Sequence, residues 1–317
     1  MRLLAPPSLL LFSILSYGVS SLLAQEPDTT PRFRAEVDQV VLYVSVYDRD
    51  GNLVTDLKQE EFTIYEDKVE QEITSFAQAE VPSSIGIVYD SSGSMRNKER
   101  LVASAVDLFL NMNNPQNELF LIRFDDEVEL EEDFTRDVED IRDAIYNIVI
   151  KGGTALYDAI YLSAEKVSEG QEPKKVLVVF TDGEDKDSYY THVELMEKIR
   201  ESDTQVFIVA FLDEDLKDDG GFFGIFRSER DKVQNQINEI ADITGGKAFF
   251  PQDPSELGPV FEQIAKELKN QYRVAYISSN RNKDGNWRQI DVQLERARER
   301  QLRVRTRKGY FAGNGPS

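Results

Sequence analysis

The chain has 317 residues, no cysteine and a single histidine, which excludes disulfides, thiol nucleophiles and any metal site built on several Cys or His ligands. Hydrophobic residues make up 40% and charged residues 30%, the balance of a globular chain of about two domains rather than a disordered one. A formal charge of −21 opposes nucleic acid and anionic membranes as partners. That charge is uneven: from Gln271 to Ser317 eleven basic residues face four acidic ones, net +7, and with Arg2 alone in the leader the body between carries −29.

Met1-Arg2 precedes an uncharged run, Leu3 to Gln25, whose centre Leu9-Leu10-Leu11-Phe12-Ser13-Ile14-Leu15 has the form of a secretory signal. Residues 1–24 are expected to be removed after Ala24, giving an exported protein, periplasmic, cell-surface or secreted, with no stable membrane insertion once the signal is gone. An uncleaved anchor is the alternative, and Pro6, Pro7 and Gly18 disfavour it as a spanning helix.

Residues 25–81 read as β structure. Val37 to Tyr47 alternates for most of its length and meets the turn Asp48-Arg49-Asp50-Gly51-Asn52, and Phe62–Tyr65 and Ile73–Phe76 are two further short strands. After Pro82 the pattern changes. Ile85–Tyr89 is a continuous apolar run, as in a buried parallel strand, and Arg100–Met112 places apolar residues at helical spacing. Leu119–Phe124 reads as a strand, paired with Glu127–Leu130 across Asp125-Asp126. Helices are predicted over Asp140–Val149 and Ala155–Val167, a strand over Val176–Phe180, a helix over Val193–Arg200 and a strand over Gln205–Phe211. Helix Val233–Ile243 stops at Gly245-Gly246, short strand Lys247–Phe250 follows, and Ser255–Lys269 is the last helix. Such alternation specifies an α/β domain over 82–270, a mostly parallel sheet covered on both faces. From 271 the β pattern returns in Tyr272–Ile277, Arg288–Leu294 and Leu302–Thr306. Each flank is too short to be stable alone, so the segment 271–317 is expected to pair with 32–80 as one small β-sandwich into which the α/β domain is inserted.

In an open α/β sheet ligands bind at the carboxyl ends of strands, and Asp90-Ser91-Ser92-Gly93-Ser94 follows such an end. Asp90, Ser92 and Ser94, spaced i, i+2, i+4, project oxygens to one side of an extended segment, with Gly93 allowing a sharp turn. Two later loops offer Thr154 after Gly152-Gly153 and Asp182 in Thr181-Asp182-Gly183. Carboxylate and hydroxyl oxygens suit a hard cation, Mg2+ foremost, with Mn2+ or Ca2+ as alternatives.

These residues resemble the von Willebrand factor type A (VWA) domain and its metal-ion-dependent adhesion site, whose pattern is D-x-S-x-S after the first strand, a Thr in a second loop and an Asp in a third. Here Asp90, Ser92 and Ser94, then Thr154 in Gly-Gly-Thr-Ala-Leu-Tyr-Asp, then Asp182 in Phe-Thr-Asp-Gly-Glu-Asp match it in order. With flanks like Val40–Phe76 and Tyr272–Phe311, the chain is also similar to a group of exported bacterial VWA-related proteins. The resemblance implies a Rossmann-like fold and a non-catalytic adhesion module. In it a partner protein's Asp or Glu carboxylate completes the coordination of the metal, and ligand binding can shift the last helix. The alternatives are a metal-dependent hydrolase and a VWA scaffold with a purely structural metal. The identity of the partner and the oligomeric state are not readable.

Other motifs carry less. Ser92 or Ser94 with Asp182 and His192 is the residue set of a serine hydrolase, but no G-x-S-x-G elbow is present and His192 falls in the first turn of a helix. Asp48-Arg49-Asp50-Gly51 reads as a hairpin turn rather than a calcium loop, and the acidic run Asp125 to Asp133 as a solvated edge. The arginines alternating from Arg296 to Arg307 are expected to dock on the acidic body. Gly220 to Phe226 reads as an apolar binding loop or a packed hairpin tip.

Overall fold

Strand β1, Gln39–Tyr47, lies antiparallel to a strand more than two hundred residues later, so the two ends of the chain close around everything between them. The computed structural model describes residues 39–78, 80–212, 229–295 and 297–313. The secretory-signal reading, the Gly220–Phe226 loop and Arg296 lie outside these. The described residues belong to one unit, and none of their helices is long and apolar enough to cross a membrane.

After β1 the N-terminal flank supplies β2, Phe62–Glu66, β3, Val69–Gln71, and β4, Ile73–Gln78. The middle begins with β5, Ser83–Asp90, and helix α1, Glu99–Met112. Next come β6, Glu118–Phe124, β7, Val128–Thr135, α2, Val138–Tyr146, and α3, Leu156–Ser168. Strand β8, Lys174–Thr181, helix α4, His192–Glu201, strand β9, Gln205–Ala210, and helix α5, Glu229–Ile243, continue the alternation. It ends with β10, Ala248–Phe249, and α6, Leu257–Asn270. The C-terminal flank holds β11, Tyr272–Ile277, β12, Trp287–Leu294, the single turn α7, Ala297–Arg300, β13, Arg303–Arg305, and β14, Gly309–Phe311.

The middle strands form a six-stranded sheet in the order β10-β9-β8-β5-β6-β7, parallel except for the edge strand β7. Every residue of β5, β6 and β9 is buried, and every residue of β8 except Lys175, which is why their centres read as unbroken apolar runs. One face is covered by α1, α2 and α6 through Phe109, Ile141 and Phe261, the other by α3, α4 and α5 through Ile160, Leu195 and Ile240.

The flanks build two antiparallel four-stranded sheets, β13-β1-β11-β4 and β14-β12-β2-β3. Each takes two strands from either end of the chain. Their inner faces share one core, with Leu42, Val44, Ile64, Tyr272, Val274, Ile290 and Val292. Phe62, Phe76 and Tyr272 meet there at ring separations of 5.1 to 5.6 Å. Glu66 is buried in this sandwich and accepts hydrogen bonds from Tyr276 (2.8 Å), Tyr310 (2.9 Å) and Ser278 (2.5 Å).

Several boundaries differ from the sequence reading. Helix α2 starts at Val138 because Asp137 caps it by accepting from the Glu139 amide (2.9 Å). Strand β7 runs on to Thr135 through Glu131, Glu132 and Asp133, since an edge strand tolerates charge on its open side. The acidic run there is not wholly solvated. Asp125 is buried and paired with Arg123 at 2.7 Å, and Arg123 also reaches Glu129 and Glu131. The β3 and β14 strands were missed because three residues carry too little pattern.

Candidate functional site

Strands β5, β6 and β8 end side by side, and the loops leaving them hold one another through backbone hydrogen bonds. The Ser91 amide and hydroxyl donate to the Phe124 carbonyl (2.8 and 3.0 Å), tying the β5 exit to the β6 exit. Lys151 donates to the Ser91 carbonyl at 2.9 Å, and Gly93 donates to the Gly152 carbonyl at 3.1 Å. The Thr154 carbonyl then accepts from Lys186 and Asp187 (3.0 and 3.2 Å), while the Thr154 amide donates to Asp187 Oδ2 at 2.8 Å. The loop carrying Asp90, Ser92 and Ser94 is thereby fastened to the loop carrying Thr154, and that one to the loop after Asp182.

Backbone demands explain the Gly-Gly before Thr154. Gly152 has φ +73°, a conformation side chains rarely adopt, and a Cβ on Gly152 or Gly153 would overlap the carboxylates of Asp126 or Asp187. The two acidic side chains thus straddle a strip of bare backbone. Gly93 is similarly close to the Gly152 carbonyl, at 3.3 Å from a built Cβ.

Asp90, Ser92, Thr154 and Asp182 are at most 6% exposed, whereas Ser94 is open to solvent. Asp90 Oδ1 accepts from the Ser92 amide (2.9 Å) and Oδ2 from the Thr181 hydroxyl (2.7 Å). The Ser92 and Ser94 hydroxyls lie 3.0 Å apart. Asp182 Oδ1 is buried with no hydrogen-bond partner among the described residues. Burial, and then the negative charge of Asp182, push the Asp90 carboxyl up to about 6, against hydrogen bonds from Ser92 and Thr181. Two buried carboxylates close enough to repel, one with a bare oxygen, form a pair that a cation would relieve. The donor set therefore fits a hard divalent ion: two carboxylates and hydroxyls from three loops, with a solvent-facing side at Ser94. Among the described residues no three Asp, Glu or His side chains converge as a metal site, so such a centre depends on its hydroxyls.

Sequence reasoning did not single out Thr181, Asp125, Asp126 or Asp187. Thr181 orients Asp90, and its own oxygen accepts from the Gly183 amide at 3.0 Å. Asp125 supports the Thr154 loop, its carbonyl accepting from Ala155 at 2.7 Å. The available signal was position: each sits within six residues of a strand end. His192 opens α4 behind the Thr191–Glu194 capping box, packs edge-on against Tyr157 and leaves Nε2 without a hydrogen-bond partner among the described residues. No base activating Ser92 or Ser94 is formed by it.

Residues 85–184 match the family model for the von Willebrand factor type A domain, a stretch that holds all five candidate ligands. No curated protein matches the chain. Among solved structures, an aerotolerance-related membrane protein from Bacteroides fragilis is similar at 19% identity, with 59% of this chain and 98% of that chain covered and a TM-score of 0.45. A von Willebrand factor type A protein from Catenulispora acidiphila is similar at 15% identity, with 74% and 52% covered and a TM-score of 0.48. Proximal thread matrix protein 1 from the mussel byssus, solved with a zinc-occupied MIDAS motif, is similar at 16% identity, with 60% and 49% covered and a TM-score of 0.46. The chain thus spans about half the length of the last two. Within the α/β body framed by the sandwich, the stretch that carries the strand-end loops is thus the part of the chain similar to the von Willebrand factor type A domain.

Proposed function

We propose that this protein is an exported, non-catalytic binding module that takes a divalent cation, Mg2+ foremost, on Asp90, Ser92, Ser94, Thr154 and Asp182 and engages a protein partner through it. In this reading residues 82–270 are the binding domain and the flanks 25–81 and 271–317 its β-sandwich frame. The observation that carries it is the bare, buried Asp182 Oδ1 beside a buried Asp90, because an unpaired acceptor there is costly unless something positive meets it. When bound, the ion supplies an electrophilic centre for an Asp or Glu carboxylate of the partner. The chain's own task is to hold the oxygens in place: Thr181 and the Ser92 amide fix Asp90, Asp187 and Asp126 fix the Thr154 loop, and exposed Ser94 marks the open side. Among the described residues the Ser92 and Ser94 hydroxyls meet each other rather than a base, which favours binding over hydrolysis.

Addition of Mg2+ or Mn2+ to the chelator-treated protein is expected to raise its melting temperature, and Asp90→Ala or Asp182→Ala to abolish the rise. Equal rises in wild type and variants would overturn the site. Capture of a partner from the parent cell's envelope, lost with chelator and with Asp182→Ala, tests the binding role.

A further inference from the structure

The outer face of the sheet β13-β1-β11-β4 does not lie against solvent everywhere. Gln39, Val41 and Tyr43, on alternate positions of β1, turn toward the α/β domain, and a cavity of about 200 Å3 opens between them and Gln205 and Thr244. That is room for several water molecules at roughly 30 Å3 each. Its lining is cationic in a protein of charge −21: Arg273, opposite Tyr43 in the β1–β11 register, and Arg307 both line it, against Asp203 alone.

The polar groups at this seam are incompletely matched. Arg307 gives one Nη to Asp203 and the other to the Val41 carbonyl at 3.1 Å, yet its Nε is buried with no partner among the described residues. Arg273 hydrogen-bonds the Tyr43 hydroxyl and is in no ion pair with a carboxylate of the described residues. It, Arg307 and Asp203 all act on the Tyr43 hydroxyl, whose pKa is raised chiefly by burial. Across the cavity Gln205, only 4% exposed, donates to the Gly245 carbonyl (3.3 Å) but leaves Oε1 buried and unpartnered. Thr244 is fully used, donating to the Ala241 carbonyl and accepting from the Val206 amide.

We propose that this seam cavity is a binding site for a small oxyanion that also carries an O–H, of the hydrogenphosphate or hydroxy-acid type. Acceptor oxygens answer the two guanidinium groups, which suit oxyanions geometrically as well as by charge, and the O–H answers Gln205 Oε1. A metal cation is repelled by the same lining, and a fully ionised anion without a donor leaves Gln205 unmatched. The ligand touches β1 and β11 on one side and β9 on the other, so its binding ties the sandwich to the α/β domain.

The test is titration of the full mature chain, in chelator so that the strand-end site stays out of play, with inorganic phosphate, lactate and sulfate in separate arms at constant ionic strength. Melting temperature and calorimetric affinity are the readouts. The expected result is a saturable rise with phosphate or lactate, the arms distinguishing the source, and a weaker one with sulfate. Arg273→Gln should weaken binding roughly 10- to 100-fold, the loss of a charge-assisted hydrogen bond. Arg273→Lys, which keeps the charge but loses the fork, carries the test if the first variant does not fold, and should also bind more weakly. No saturable response in any arm, or the same response in wild type and variants, overturns the proposal. Equal affinity for sulfate and phosphate overturns the role given to Gln205.

Discussion

Replacing Asp182 with Asn should make the metal-free protein more stable and the metal-loaded protein less stable than wild type. Asp90 is fully buried and its carboxyl is pushed from 3.8 up to about 6, by burial first and by Asp182 second. Two pKa units correspond to about 3 kcal/mol for all causes together, and Asp182 is the second of them, so removing its charge is worth on the order of 1 kcal/mol. In a domain this size that is about 3 °C of melting temperature. Asn keeps the shape of Asp182 and costs no hydrogen bond at Oδ1, which has none among the described residues. With Mg2+ at about 100 times its dissociation constant, wild type should gain about 2.7 kcal/mol, or about 8 °C, and the variant close to nothing. The order of the two melting curves therefore inverts between chelator and Mg2+, read by calorimetry at pH 7.5. A variant that melts below wild type in chelator, or that gains as much from Mg2+, would refute the reasoning that two unneutralised carboxylates share this pocket.

Gly153→Ala should leave the fold intact but cut metal affinity about 10-fold, because its Cβ displaces Asp187 from the Thr154 amide; titration calorimetry reads this, and unchanged affinity counts against the cradle. Lys174 is buried under Tyr43 with its ammonium on the Leu268 carbonyl (3.1 Å), and burial lowers it to about 7. The folded state then binds fewer protons than the unfolded one between about pH 7 and 10.5, so its cost is present in full below 7 and fades as pH rises toward 10.5. Lys174→Met should accordingly gain more melting temperature over wild type at pH 6 than at pH 9, and a pH-independent difference would contradict this. A fragment of residues 25–80 should show no cooperative melting by circular dichroism, since β1 and β2 find their main partners in β11 and β12; a stable fold would disprove the interdependence of the flanks.

The candidate donors Asp90, Ser92, Ser94 and Asp182 were legible in the sequence because each lies at the end of β5 or β8 or within a few residues of it, where an α/β sheet gathers its loops; Thr154 precedes α3, and only the Gly-Gly-Thr pattern marked it. The buried strands were equally visible: residues enclosed on both faces are mostly apolar, and Ile85–Tyr89 of β5 and Val176–Phe180 of β8 are written that way. Charged or very short segments were not. Strand β7 carries Glu129 and Glu131 where Arg123 from β6 meets them, and α2 begins where Asp137 happens to cap it.

The seam between the sandwich and the α/β domain shows the division most clearly. Alternation in β1 announced a strand with one apolar face, and the basic tail announced an attraction to the acidic body. Neither announced that Ser45 would meet buried Glu267 of α6 at 2.9 Å, or that Arg305 would stack over Tyr47 while Arg307 reached Asp203. Periodicity and strand-end position are properties of neighbours in the chain, so the amino-acid order alone determined the elements, their layering and the candidate ligands. Partnerships spanning 222 residues exist only once the two termini have closed into one sandwich, so the tertiary structure alone decided the bare oxygen of Asp182, the cradle around Thr154 and the cationic cavity beneath Tyr43.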